Sequence, residues 1–215
     1  MPRQVDHVGR RRLIAEAVCH LADERGLEGV TLRDVAARAQ VSMGAVQRCF
    51  RTKEGMLVFA LEHISERIME RVQARLVRSP AQSAGTALGH AATEISLLQE
   101  EHRAEARVWL AFVAQATVSK VLARTLKANY ALLQETFTRL ISEAGEGVGR
   151  AVPLDAQREA RTLLALADGL TSHVLIGHLT SHEAHDVLHA HLAGLWEQPA
   201  RPPHTTLSPR AERAG

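Results

Sequence analysis

Aromatic residues are scarce in this 215-residue chain: two Trp, one Tyr and four Phe amount to 3% of it. So few rings make an aromatic cage for a quaternary amine hard to build. Cysteine is scarcer. Cys19 and Cys49 both fall on apolar helical faces and read as small buried hydrophobes in a reducing cytosol, with a redox switch at Cys49 as the alternative. Long apolar runs are missing. No stretch approaches the roughly 20 residues of a membrane span. Met1 to His7 lacks the apolar segment of a secretory signal, so the chain is expected in the cytoplasm. An excess of one charge is also missing. Twenty-six Lys and Arg stand against 24 Asp and Glu, a net charge of +2, so bulk basicity cannot carry nucleic-acid binding. No hydrolase elbow, phosphate loop or zinc-protease motif is present, and the carboxylates fall mostly on polar helix faces. The chain is therefore expected not to be an enzyme and to carry no cofactor. Convincing period-2 alternation is absent too, which leaves an all-α fold.

What is present is concentrated in residues 31–57, TLRDVAARAQVSMGAVQRCFRTKEGML. The stretch spells two short helices, a tight turn between them and the capped start of a third. Thr31 caps the first, with Asp34 placed to close a capping box. Ser42 caps the second, after the turn Ala39-Gln40-Val41. On a helix starting at Met43, Val46, Cys49 and Phe50 share one face by their spacing. Met43, Gly44, Gln47 and Arg48 then face away from the core. A free face with Arg and Gln suits a DNA major groove, where Arg pairs with guanine and Gln with adenine. Lys53, in the first turn of the next helix, is placed to hold a phosphate.

The frame is Leu13 to Ala17, Gly26, Thr31-Leu32, Asp34-Val35-Ala36, Val41-Ser42, Gly44, Phe50, Lys53-Glu54 and Leu57. As a set these residues resemble the tetracycline-repressor-like (TetR) family of bacterial transcriptional regulators. Trp109-Leu110-Ala111-Phe112 and Leu166-Ala167-Asp168-Gly169-Leu170 give the second half a looser likeness, chiefly to the choline-responsive (BetI-like) branch. The resemblance implies an N-terminal three-helix helix-turn-helix domain and a C-terminal helical ligand-binding and dimerisation domain. It implies a homodimer on a palindromic double-stranded operator, most often a repressor, released by a small-molecule effector. It also implies DNA contacts by Thr31, Ser42, Met43, Gly44, Gln47, Arg48 and Lys53. Three positions depart from the family. Gln40 stands where a turn Gly is usual, at a cost of roughly 1 kcal/mol if the residue is left-handed. Gln47 and Cys49 stand where Tyr and His are usual, and Cys49 is a poor phosphate partner. The competing reading is a helical small-molecule-binding protein or enzyme with a degenerate DNA-binding head.

Charge follows this division. Residues 1–55 hold ten Arg or Lys against seven Asp or Glu, and the remainder sixteen against seventeen. Arg10-Arg11-Arg12 forms a basic cluster just before the first helix, either a solvated helix start or an arm that tracks DNA. The domains are expected at 1–55 and 56–198, with 199–215 a Pro-rich polar tail expected to be disordered. Helix 1 carries a stripe of Leu13, Ile14, Ala17, Val18, Leu21 and Ala22. Thr52 caps helix 4, whose stripe of Leu57, Leu61, Ile64, Ile68, Val72 and Leu76 runs on until Pro80 ends it. Further helices are expected at about 82–99, 101–117, 119–144, 154–177 and 181–197, with a flexible break at Gly145 to Gly149. The last two helices read as half of a four-helix dimer interface.

A ligand cavity is mostly apolar with a few placed polar groups. Trp109, Phe112, Asn129, Asp168 and Thr171 fit that description by their positions on apolar stripes. Each also has a structural reading, as core or as a group bonded to a neighbour. His178, His182, His185, His189 and His191 crowd the end of the chain. The spacing of His185 and His189 allows a metal pair. The reading adopted is a polar stripe on the last helix, which Thr180 caps and Glu183 closes with a box, so no metal site is expected.

Overall fold

Each predicted cap forms where the sequence places it. Thr31 Oγ1 accepts from the Asp34 backbone N–H at 3.2 Å, Ser42 Oγ from Ala45 at 3.1 Å and Thr52 Oγ1 from Gly55 at 3.0 Å. At Thr180 the capping box is complete, with Glu183 answering the backbone N–H of its cap. Asp34 instead accepts from the Thr31 hydroxyl, at 2.8 Å.

The computed structural model describes residues 7–78, 83–146 and 154–196. Its helices are α1 (His7–Arg25), α2 (Leu32–Arg38), α3 (Met43–Cys49), α4 (Lys53–Arg78), α5 (Ala84–Ile95), α6 (Arg103–Ala116), α7 (Lys120–Gly145), α8 (Ala156–Leu175) and α9 (Ser181–Gly194). A short 3-10 turn, Glu100–His102, precedes α6. No strand occurs among the described residues. The tail from 199 and most of the glycine-rich break lie outside them.

Helix α1 begins at His7, so Arg10, Arg11 and Arg12 sit inside the helix and not before it. Leu13, expected in its buried stripe, is 52% exposed, and Ala15 is buried in its place. Gly26 ends α1 at φ +73°, its N–H bonded to the Ala22 carbonyl. Gln40 ends α2 in the same way at φ +54°. Its N–H reaches the Ala37 carbonyl at 3.2 Å, and the Val41 N–H reaches Ala36 at 3.0 Å, the paired bonds of a left-handed helix stop. A side chain in that conformation costs roughly 1 kcal/mol relative to glycine. The Gln40 side chain is exposed. Gln40→Gly is therefore expected to raise the unfolding free energy by about 1 kcal/mol, read as an upward shift in melting temperature. A fall would show that the Gln40 side chain supports the turn.

Two clusters of buried apolar residues build the interior. The first joins α1, α2 and α3 to the first half of α4, to α6 through Val108, Trp109 and Phe112, and to the start of α7 through Leu122 and Leu126. The second joins α5, the end of α7, α8 and α9, with Val72 from α4. The boundary expected after residue 55 thus falls in the first turn of α4, and the head's core runs on into α6 and α7.

The expected helix over 82–99 stops at Ile95. Leu97 adopts φ +49° with its side chain buried, and Thr171 Oγ1 donates to the Ser96 carbonyl at 2.6 Å. Beside that turn lies a buried charge cluster. Glu94 and Glu105 have side chains only 6% and 8% exposed. Arg71 spans them, with Nη1 at 2.7 Å from Glu105 and Nε at 3.7 Å from Glu94. Arg67 and Arg75 approach from the outside at 3.7 and 3.8 Å. Burial, and then the Arg71 guanidinium, push the nearby His102 imidazole below its ordinary range.

Candidate nucleic-acid interface and effector cavity

Helix α3 presents the face its sequence implies. Val46 and Phe50 are buried and Cys49 is half-buried, while Met43, Gln47 and Arg48 are exposed. Ala45 is buried as well. Gly44 is half-buried, and a Cβ there would stand 3.5 Å from the Arg48 guanidinium, so Arg48 lies back over the first turn of α3. Thr31 and Ser42, both exposed, frame the two short helices, and Lys53 is exposed at the first residue of α4.

Three other basic groups in the head are committed internally. Arg38 grips both carboxylate oxygens of Glu24 at 2.7 Å. Arg25 lies 3.6 Å from Asp34. Arg11 stacks its guanidinium over Phe59 at 4.2 Å and over Phe50 at 5.1 Å, which ties α1 to α4 and the end of α3. Arg10 is half-buried and Arg12 exposed on the same helix. Two exposed cations were not singled out from the sequence: Arg33 on α2 and Arg51 in the loop before α4. Their charge was the only signal for them.

Cys19 packs against the first core, and burial pushes its thiol up to about 12. A thiol held protonated in this way is a poor nucleophile. Cys49 is half-buried beside the same core.

In the body, α4, α6 and α7 line a half-open cavity of about 280 Å³. Its wall is Glu62, Ser65, Glu66, Ile68 and Met69 from α4, Trp109 from α6, and Asn129, Leu132 and Leu133 from α7. Asn129 Nδ2 donates to Ser65 Oγ at 2.8 Å, and Ser65 passes a bond to the Leu61 carbonyl. A second space of about 30 Å³ adjoins it, sharing Ile68, Trp109 and Leu133, and reaches Asp168. The Trp109 indole N–H donates to Asp168 Oδ1 at 3.1 Å, and the Tyr130 hydroxyl donates to Oδ2. Burial, then the bond to Asp168, hold the Tyr130 phenol protonated well above its usual range.

Three of the five sequence-predicted ligand residues, Trp109, Asn129 and Asp168, thus line these two spaces. Phe112 and Thr171 do not. Phe112 is wholly buried in the first core. Thr171 is 2% exposed and spends its hydroxyl on the Ser96 and Ala167 carbonyls. Tyr130, the second donor on Asp168, was missed. The partners of Asp168 are these two aromatic donors.

At the far end, His185 Nδ1 lies 2.7 Å from the Ser181 carbonyl and its ring meets His189 edge-on at 6.2 Å. His182 lies 3.6 Å from Asp186. His173 and His178 rings stand 4.9 Å apart. Among the described residues no three His, Cys, Asp or Glu side chains converge into a group able to hold a metal ion.

Residues 14–58 match the model for bacterial regulatory proteins of the tetR family, and residues 84–197 match that for the C-terminal part of BetI-type transcriptional repressors. The chain belongs to the TetR family of transcriptional regulators. A similar relative is the HTH-type transcriptional regulator PksA of Bacillus subtilis (strain 168), 33% identical over 178 residues, covering 82% of this chain and 83% of the relative. The HTH-type transcriptional regulator BetI of Escherichia coli (strain K12 / DH10B) is 30% identical over 162 residues, with 75% and 80% covered. A crystal structure of a transcriptional regulator from Rhodococcus sp. Rha1 superposes with a TM-score of 0.74 at 28% identity, covering 86% of this chain and 95% of that one. The regulator's α2 and α3 are accordingly the helix-turn-helix of a DNA-binding protein, and its relatives are regulators, not enzymes. No helix among the described residues is long and apolar enough to cross a membrane.

Proposed function

We propose that this regulator is a homodimeric repressor of a palindromic operator, released when a small molecule fills the cavity between α4, α6 and α7. Helix α4 carries the reading. It places Lys53 at the edge of the head and supplies five of the nine residues of the cavity wall, Glu62 to Met69. Its 26 residues make a rod of about 39 Å, so a tilt imposed at the cavity displaces the head. The head follows because α6 and α7 grip it. Arg107 Nε of α6 bonds Asp23 of α1 at 2.5 Å, and Ser119, the cap of α7, bonds Glu54 of α4 at 3.1 Å.

In the DNA-bound state the two α3 helices stand about 34 Å apart, one turn of the duplex. Helices α8 and α9 supply the two-fold contact in this reading. On them Ala165, Val187, Ala190, Ala193 and Gly194, with Ile176 just past α8, are exposed on the single chain, an apolar and small-residue surface suited to close helix packing. The effector binds the other state better, since a ligand shifts only an equilibrium whose two states it distinguishes.

A gel-shift with DNA upstream of the gene, repeated with compounds that raise the melting temperature, tests the reading. The expected result is a retarded band abolished by such a compound. Retention of the band with every stabilising compound would refute effector release. Asn129→Leu removes the polar link from α7 to Ser65 of α4. It is expected to demand several-fold more of the same compound for equal release. Joint loss of folding and DNA binding would make Asn129 a strut of the core instead.

A further inference from the structure

We propose that the effector carries an N–H donor, an amine or a guanidine, at one end of an apolar body, and that this donor takes the place of the Trp109 indole on Asp168. The inference rests on the effector reading above and names the chemistry of that site.

Trp109 lines both spaces, the outer one of about 280 Å³ and the inner one of about 30 Å³, together with Ile68 and Leu133, and its indole reaches Asp168. It is held there by the N–H bond to Asp168 at 3.1 Å, with the Tyr130 ring against it at 6.0 Å in an edge-on arrangement. Turning the indole away would join the two spaces and open a path to the Asp168 carboxylate. That carboxylate faces Ile95, Leu133, Leu164 and Ala167, an apolar setting in which a lost donor is costly. A guest that displaces the indole must therefore donate a hydrogen bond of its own. A cationic donor does so with a charge-assisted bond, stronger than the neutral one it replaces. The lining agrees in sign. The two spaces present three carboxylates, Glu62, Glu66 and Asp168, and no Lys, Arg or His. An anionic guest meets three like charges there and no cation. The rest of the outer wall, Ile68, Met69, Leu132 and Leu133, suits an apolar body.

The displacement also has a route to the head. Trp109 lies two residues after Arg107, whose guanidinium bonds Asp23 of α1. Indole movement strains the α6 segment that holds the head.

The chain has two Trp, so Trp196→Phe leaves Trp109 as the only indole reporter. The probes are n-octylamine, n-octanol, octyltrimethylammonium and octanoate, followed by Trp emission and, on the parent protein, by thermal shift. Octylamine is expected to move the Trp109 emission and to bind at least about tenfold more tightly than octanol, roughly a charge-assisted bond's worth. Asp168→Asn is expected to erase that preference while octanol binding persists. Equal binding of octanol, whose O–H is a neutral donor, or of octanoate, which has none, would overturn the requirement for a cationic N–H donor. So would tighter binding of octyltrimethylammonium, which has no N–H, or a Trp109 emission unmoved by saturating octylamine. Octanol that binds and releases DNA without any amine preference leaves the effector cavity standing and removes only the donor class. If Trp196→Phe does not fold, the melting shifts of the parent and of Asp168→Asn decide the same question.

Discussion

Arg71→Ala is expected to lower the unfolding free energy by about 3 kcal/mol, the usual consequence of leaving buried charge without its partner. For a chain of this size that is a fall in melting temperature of roughly 10 °C. Arg71 lies between Glu94 of α5 and Glu105 of α6, and both carboxylates are more than nine-tenths buried. Arg67 and Arg75 stay near at 3.7 and 3.8 Å, which keeps the loss toward the lower end of the range for a broken buried pair. Arg71→Lys retains the charge but not the two-armed reach, and should recover only part of the loss. Arg71→Met combined with Glu94→Gln and Glu105→Gln removes the buried charges, leaves Arg67 and Arg75 to solvent, and should recover more. The check is chemical denaturation of all four proteins. A loss below about 1 kcal/mol for Arg71→Ala would mean that the cluster is solvated enough to behave like a surface network. Because the cluster joins α4 to α5 and α6, the same variant is expected to loosen the lever within the body.

That cluster was not legible in the sequence, and the reason is geometric. Arg71, Glu94 and Glu105 are local in no helix; they meet only when three helices take up their relative heights along one another. Arg11 is a similar case. A basic triplet near a DNA-binding head reads as an arm, but its guanidinium stacks on Phe50 and Phe59, whose rings approach only in the folded head. Local signals fared better because they act within a few residues. Thr31, Ser42, Thr52 and Thr180 cap their helices, and the turn at Gln40 is left-handed where the departure from glycine pointed to it. The cavity lies between these extremes. Helical spacing put Trp109, Phe112, Asn129, Asp168 and Thr171 on apolar stripes. A stripe shows which face turns inward, not where packing leaves a gap. Phe112 and Thr171 filled their space, while Trp109, Asn129 and Asp168 bordered a void. Tyr130 escaped notice because its role depends on Asp168, 38 residues further on and on another helix.

Arg48→Ala is expected to weaken operator binding by about 1–3 kcal/mol at each half-site and to relax preference at one base position there. Arg48 is exposed on the outer face of α3, and its guanidinium rests over Gly44, where no side chain intervenes. The helix is anchored from beneath by Val46 and Phe50, so the face is fixed without Arg48's help. Truncation should therefore change reading and not folding, and the melting temperature of free protein is the control. Lys53→Ala makes the contrasting case. Its ammonium stands at the first turn of α4, where the helix end already favours a phosphate. Losing it should weaken binding to every sequence alike and reduce the slope of log affinity against log salt by about one for each phosphate contact removed. The two variants separate in a competition against operators altered one base pair at a time. Arg48→Ala should flatten the penalty at one symmetric pair of positions, and Lys53→Ala should lower all affinities in parallel. If Arg48→Ala keeps the parent's full pattern of base preference, Arg48 holds backbone and reading falls to Gln47 or Met43, which share its exposed face.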